Sequence, residues 1–239
     1  MVMVFGLVLA GGIGSRMGNN GKPKQFLMAC GKPVIIHTLE KFCINGAFVK
    51  IIVLCPSEWV SYTQGLIEEY LCSYKKNIAV ASGGSSRNNT IMEGIRYIED
   101  NYILDGSTII VTHDAARPFI NNRIISENIE TAIRYGAATT AVPSTDTILY
   151  CPGRQTVESI TDRQALYMCQ TPQTFFAKEL RELYNRLSDN EKEQLTDASG
   201  IYIKNKLPVG IVQGEMYNFK ITYPNDLVVA EEYIKRGIV

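Results

Sequence analysis

Short apolar runs alternate along this chain with longer helical patterns, and that alternation limits the fold more than any other feature. Residues 4–9, 50–54, 77–81, 108–112, 137–142 and 208–213 are brief and dominated by small or β-branched apolar side chains. They read as buried strands. Between them, residues 34–42, 62–74, 89–101 and 122–135 carry helical patterns. In the third, Ile91, Ile95 and Ile98 fall at i, i+4 and i+7, on one helical face. Strands alternating with helices of this length predict βαβ units, hence an α/β fold with a Rossmann-like, mostly parallel sheet covered on both faces. Further helices are predicted at 176–187 and, after Pro224, at 225–236.

One stretch breaks the rhythm. Residues 146–150 and 156–160 are short and strand-like, and Cys151-Pro152-Gly153-Arg154 between them is a turn by composition. This predicts an antiparallel β-hairpin inserted into the α/β order. Its strands have few strongly apolar faces, so it is expected to project and to need a partner that covers it. No repeat, low-complexity tract or linker interrupts residues 1–239, which predicts a single domain with 143–168 as an arm.

Composition removes several classes of function. Lys and Arg total 24 and Asp and Glu 24, for a formal net charge of zero. That balance argues against a general nucleic-acid or membrane-surface binder. The six cysteines include no Cys-x-x-Cys pair, and there are only two histidines, His37 and His113. A zinc site or a catalytic triad therefore has little to work with. Cys30 and Cys169 are expected to fill core space as reduced thiols, in keeping with a cytoplasmic protein. No run approaches the ~18 apolar residues of a membrane span. The apolar start lacks a cationic segment and runs into glycines, so it reads as a first strand and not as a signal peptide.

The most informative segment leaves that first strand: Leu9-Ala10-Gly11-Gly12-Ile13-Gly14-Ser15-Arg16-Met17-Gly18, then Lys22-Pro23-Lys24-Gln25. Open α/β sheets bind ligands at the carboxyl ends of their strands. Glycines there let backbone amides approach anionic oxygens, and Arg16, Lys22 and Lys24 add cations suited to a polyphosphate. Two well-known phosphate motifs fail. The dinucleotide pattern begun at Gly12 needs glycine where Met17 stands, and Gly21-Lys22 lacks both the preceding glycine and the following Ser or Thr of a P-loop.

The stretch L-A-G-G-x-G-x-R-M-G followed by P-K-Q resembles the signature of nucleotidyltransferases that activate phosphorylated sugars and polyols. Within them it is most similar to the cytidylyltransferases that make CDP-alcohols. The resemblance runs from about Phe5 to Asp226 through six motifs in the family's order. It implies a nucleotidyltransferase-type fold, Mg²⁺ as cofactor, and CTP and a polyol phosphate as substrates. It also implies CTP-binding residues Ala10, Gly11, Gly12, Gly14, Arg16 and Lys24.

Other motifs extend the expectation. Gly83-Gly84-Ser85-Ser86-Arg87-Asn88-Asn89-Thr90 opens a helix, where amides and short hydroxyls meet a base or ribose. The resemblance assigns Gly84, Arg87 and Thr90 to CTP; helix capping by Ser86 or Asn88 is compatible. Asp114 and Arg117 follow the fourth strand. Asp114 suits a metal-nucleotide or an acceptor hydroxyl and Arg117 a phosphate, with a plain Asp–Arg ion pair as the alternative. His113 faces the other way and reads as structural.

In the resembling family the arm reaches across a dimer, which assigns Thr147 and Arg163 to the neighbour's acceptor pocket and implies a homodimer. Without the family, Arg163 is a solvated charge. Thr171, Thr196 and Lys220 complete the implied acceptor set, and Arg16, Lys24 and Lys220 are the implied catalytic cations. The presence of all three argues against a non-catalytic relative that keeps only the fold. Mg²⁺ is expected mainly on the CTP phosphates, with Asp114 as its one protein candidate.

Two acceptor groups share these motifs, one using 2-C-methyl-D-erythritol 4-phosphate and the other D-ribitol 5-phosphate. Pro56-Ser57-Glu58-Trp59, Gly214-Glu215-Met216-Tyr217-Asn218 and Thr196-Asp197-Ala198-Ser199, which lacks a second acidic residue, look more like the ribitol group. Ala115-Ala116 and Ala141-Val142-Pro143 look more like the methylerythritol group. The expectation from sequence is ribitol 5-phosphate.

Overall fold

The computed structural model describes residues 2–12 and 22–238. Seven strands form one sheet: β1 (Val4–Leu9), β2 (Lys50–Cys55), β3 (Ile78–Ser82), β4 (Ile109–Asp114), β5 (Ala137–Pro143), β6 (Tyr167–Phe176) and β7 (Gly210–Gln213), in spatial order β7-β5-β6-β4-β1-β2-β3. The pairs β1–β2, β1–β4, β2–β3 and β5–β7 are parallel, and β6 runs antiparallel to both its neighbours.

Period-2 alternation along β1 sorts side chains between two cores. Val4 and Val8 join Leu39, Ile51, Val53, Val111 and Ile124 on one face. Phe5 and Leu7 join Ile52, Leu54, Ile110 and Phe175 on the other. The first face is covered by α1 (Val34–Asn45), α2 (Val60–Tyr70) and α4 (Asn122–Tyr135). The second is covered by α3 (Arg87–Asn101), α5 (Ala177–Arg186) and, after the short α6 (Asp189–Glu193), α7 (Ser199–Lys204). Ile91, Ile95 and Ile98 are fully buried there, as their spacing predicts. The last helix, α8 (Pro224–Lys235), packs with Phe119 and Ile221 in a third, smaller cluster.

Three features differ from the expectation. The ten-residue strand β6 is not foreshadowed, because Pro172 and two glutamines mark its sequence as a poor central strand. The register shifts between Cys169 and Gln173, and this irregularity accommodates the proline between two neighbours. The hairpin pairs only Leu149–Tyr150 with Ser159–Ile160. Its Leu149, Tyr150, Val157 and Ile160 are all about half exposed or more. Cys30 and Cys169 are exposed instead of filling the core, a role that falls to Cys55. Among the described residues no helix is long and apolar enough to cross a membrane.

Strand order decides where a ligand can bind. From β1 the chain winds outward through β2 and β3, then returns to place β4 on the other side of β1. The loops leaving β1 and β4 therefore part in opposite directions and open a crevice at the carboxyl ends of the strands. Leu9 and Asp114 are paired across that point.

The α3 helix lies close on this sheet. A Cβ on Gly94 would come within 2.8 Å of both Leu7 and Leu54 side chains. Gly94→Val is expected to lower the unfolding free energy by about 1–3 kcal/mol through overpacking, read as a lower urea midpoint at unchanged m-value.

Candidate active site

A cavity of about 450 Å³ occupies the crevice. Gly11 and Gly12 reach it from the end of β1, and Lys24 and Gln25 from a 3₁₀ turn at Lys24–Phe26. Gly84, Ser85, Ser86, Arg87 and Thr90 enter from the start of α3, Asp114 from the end of β4, and Lys220 from the segment before α8. A second hollow of about 260 Å³ is lined by Arg117, Cys169, Gln170, Thr171, Gln173, Thr196 and Asp197. Arg87, Asp114 and Lys220 line both.

Asp114 is the electrostatic centre. Its Oδ2 lies 2.8 Å from Lys220 Nζ and 3.7 Å from Arg117 Nε, and its Oδ1 lies 3.4 Å from Arg87 Nη2. Burial alone would raise the carboxyl pKa, but the cations of Arg87, Lys220 and Arg117 outweigh it and hold the group far below the usual carboxylate range. Three cations around one carboxylate leave two positive charges uncompensated at the junction of the cavities. Such a junction favours anions, phosphates above all. Burial pushes the Arg117 guanidinium down, with Asp114 opposing.

The loop before α3 is shaped by contact. Ser86 caps the helix by accepting from the Asn89 amide at 3.1 Å, while Asn88 is buried and serves no cap. Thr90 Oγ1 accepts from the Gly84 amide at 3.1 Å and donates to the Ser86 carbonyl at 2.8 Å. A Cβ on Gly84 would stand 2.6 Å from Asn89 Cβ and 2.8 Å from its carbonyl carbon, so the loop takes this path only with glycine there.

Most of the expected residues converge. Gly11, Gly12, Lys24, Gly84, Arg87, Thr90, Asp114 and Lys220 line the larger cavity, and Arg117, Thr171 and Thr196 the smaller. Ala10 does not reach the surface: it is 1% exposed, and its carbonyl accepts the Gln25 side-chain amide. Thr147 and Arg163 sit on the arm outside both cavities, where Arg163 Nη1 donates to the Thr145 carbonyl at 3.1 Å. Gly14 and Arg16 lie outside the described residues. Lys220 keeps an exposed side chain while its Nζ pairs with Asp114.

Sequence reasoning missed Gln173. Its Oε1 accepts from Arg87 Nη1 at 3.3 Å, and its Nε2 donates to Ser199 Oγ at 2.7 Å. Asp197 also lines the smaller hollow, one oxygen accepting the Gly200 amide at 3.0 Å. The one available signal was the Gln-Thr-Pro-Gln motif, which does not reveal its partners.

A phosphate-attracting crevice at the switch point of this sheet marks a nucleotide-binding α/β protein. Comparison narrows the class. The model of the family IspD: 2-C-methyl-D-erythritol 4-phosphate cytidylyltransferase matches residues 4–236. The chain belongs to that family and is a CTP-dependent nucleotidyltransferase. It is similar to the 2-C-methyl-D-erythritol 4-phosphate cytidylyltransferase of Thermus thermophilus, at 27% identity and TM-score 0.72, covering 98% of each chain. The corresponding enzyme of Francisella tularensis shares 26% identity at TM-score 0.77, over 96% of this chain and 99% of that one. The 4-diphosphocytidyl-2C-methyl-D-erythritol synthase of Anaerococcus prevotii, 24% identical at TM-score 0.79 over 98% and 96%, shares the fold.

His113 gives the site a pH signature. Burial pushes its imidazole from an ordinary 6.5 down to about 4. Between those values the unfolded chain binds the proton and the folded one does not, so stability is full above pH 6.5 and falls as pH drops towards 4. At about 1.4 kcal/mol per pH unit the loss is on the order of 3 kcal/mol. Urea titrations from pH 7 to 4 are expected to show this slope, and His113→Gln to remove it, leaving the share of His37, which burial lowers too.

Proposed function

We propose that this enzyme transfers CMP from CTP to 2-C-methyl-D-erythritol 4-phosphate, releasing pyrophosphate. The cationic junction around Asp114 carries the reading, because it offers one site for a nucleoside triphosphate and an adjoining one for a second phosphate. The family match and the activities named for the Thermus and Francisella relatives support this acceptor over the ribitol 5-phosphate expected from sequence. Ribitol 5-phosphate is a second reading, favoured by Thr196-Asp197-Ala198-Ser199 with its missing acidic residue. Thr196 and Asp197 both line the smaller hollow.

In the transfer, a phosphate oxygen of the acceptor attacks the α-phosphorus of CTP, and the bond to the bridging oxygen of pyrophosphate breaks. No covalent intermediate with the protein is needed, so catalysis consists of positioning and charge neutralisation. Gly11, Gly12 and Lys24, together with Arg16 and Gly14, receive the triphosphate. Gly84, Ser85 and Thr90 meet the nucleoside. Arg117 and Lys220 hold the acceptor phosphate in line, with Arg87, expected on CTP, between the two hollows.

The donors suit a magnesium ion that arrives on the nucleotide and not a protein-built cage. Among the described residues no three His, Cys, Asp or Glu side chains cluster, and Asp114 is the carboxylate at the cavity. Asp114 would supply the one protein oxygen, and Mg²⁺ would neutralise triphosphate charge. The arm over 143–168, with Leu149, Tyr150 and Ile160 exposed, supports a homodimer in which Thr147 and Arg163 complete the neighbour's pocket. All six cysteines are free thiols, in keeping with a reducing cytoplasm.

Pyrophosphate release from CTP and Mg²⁺ with each acceptor separately tests the reading. Turnover with methylerythritol phosphate is expected; turnover with ribitol phosphate alone selects the second reading, and turnover with neither refutes both. Lys24→Ala is expected to lower kcat roughly 10²–10³-fold with a melting temperature close to that of the wild type.

A further inference from the structure

Behind the carboxylate of Asp114 runs a chain of hydrogen bonds. The Asp114 amide donates to Thr171 Oγ1 at 3.2 Å. Thr171 Oγ1 lies 3.0 Å from His113 Nδ1, and His113 Nε2 lies 3.0 Å from the Arg117 carbonyl. A carbonyl only accepts, so Nε2 carries the proton. A neutral imidazole has one N–H, so Nδ1 accepts and the Thr171 hydroxyl donates to it. The single proton of that hydroxyl is thereby committed inward.

The chain closes around a tight turn. The Arg117 amide donates to the Asp114 carbonyl at 3.0 Å. The path from amide to hydroxyl to imidazole to carbonyl ties the two ends of this turn to each other through side chains. Thr171 is itself held: Asn218 Nδ2 donates to its carbonyl at 2.9 Å, and the Asn218 carbonyl accepts from Arg117 Nη1 at 2.8 Å. His113 is wholly buried and packs against Phe42. Rotation of Thr171 would free the Asp114 amide, rotation of His113 would free the Arg117 carbonyl, and either would break the link between them.

We propose that Thr171 and His113 are positioning residues that set the Asp114–Arg117 turn, and through it the cations of the acceptor site, with the Thr171 hydroxyl giving its proton to His113 and not to the acceptor. This rests on the cytidylyl transfer proposed above. It leaves Thr171, which lines the smaller hollow, only a lone pair to offer the acceptor. A displaced turn misaligns the attacking phosphate more than it weakens its binding, so the loss belongs in kcat.

A double-mutant cycle with Thr171→Val and His113→Gln, measured by pyrophosphate release under saturating CTP, tests the proposal. Thr171→Val keeps the side-chain shape without the hydroxyl. His113→Gln keeps a donor towards Arg117 without the acceptor for Thr171. Each single variant is expected to lose turnover, roughly 100-fold for a turn displaced by about 1 Å, with little change in acceptor KM. The double variant is expected to be no worse than the weaker single one, and Thr171→Ser to recover most of the turnover. Losses that multiply, wild-type kinetics in Thr171→Val, or a raised acceptor KM at intact kcat would each overturn it.

Should His113→Gln fail to fold, Thr171→Val against Thr171→Ser still decides. A readout free of turnover is the ¹⁵N shift of the His113 ring. A proton on Nε2 in the wild type, with the Nδ1 shift moving towards that of an unbonded ring nitrogen in Thr171→Val, agrees with the proposal, and a proton on Nδ1 in the wild type refutes it. Wild-type protein silent with both acceptors refutes the assigned reaction, and the ring shifts then test the positioning chain by themselves.

Discussion

A carboxylate that is nearly buried keeps its charge only if cations stand beside it, and Asp114 has three. The dependence is mutual. Arg87, Arg117 and Lys220 come from the start of α3, the turn after β4 and the segment before α8, and Asp114 is the group they share. Without it their charges would repel one another. With it they form a cluster that retains a positive surplus aimed into two adjoining hollows. A buried ion cluster of this kind adds little to stability compared with apolar packing. Its value lies in holding cations at fixed points before an anion arrives, which is what phosphoryl transfer requires of a protein.

Sheet topology makes that cluster reachable. Because β4 returns beside β1 after the chain has wound out to β3, the chain goes on from β1 and β4 to opposite sides of the pair, which leaves room for a ligand at their ends. Gly11 and Gly12 enter from one side and Asp114 from the other, in register with Leu9. The antiparallel strand β6 then brings Thr171 and Gln173 behind Asp114 and Arg87. Parallel winding builds the mouth of the site, and the reversed strand braces its back.

Much of this was legible beforehand. The six predicted strands all lie in the sheet, and the four central helical patterns all fold as helices, because each buries a periodic face that local sequence reveals. Where the reading failed, a nonlocal cause is visible. Strand β6 hides behind Pro172, tolerated where the register slips. Ala10 looks like part of the loop but is buried just past the end of β1, held by Gln25. Cys30 and Cys169 look like core residues by type, yet both are exposed. The ribitol expectation draws in part on Pro56-Ser57-Glu58-Trp59 and Gly214-Glu215-Met216-Tyr217-Asn218, and neither segment lines a cavity.

By itself the sequence determined the α/β winding and the class of ligand. Periodicity, glycines and cations act through local geometry and residue type, both of which are written along the chain. Tertiary structure alone decided which charges share a carboxylate, how Thr171 spends its proton and which form His113 takes. Those properties depend on partners 58 and 101 positions apart, His113 with Thr171 and Arg117 with Asn218. A side chain's ionisation and hydrogen bonds are set by what stands within a few ångströms, and only the folded chain brings those groups together.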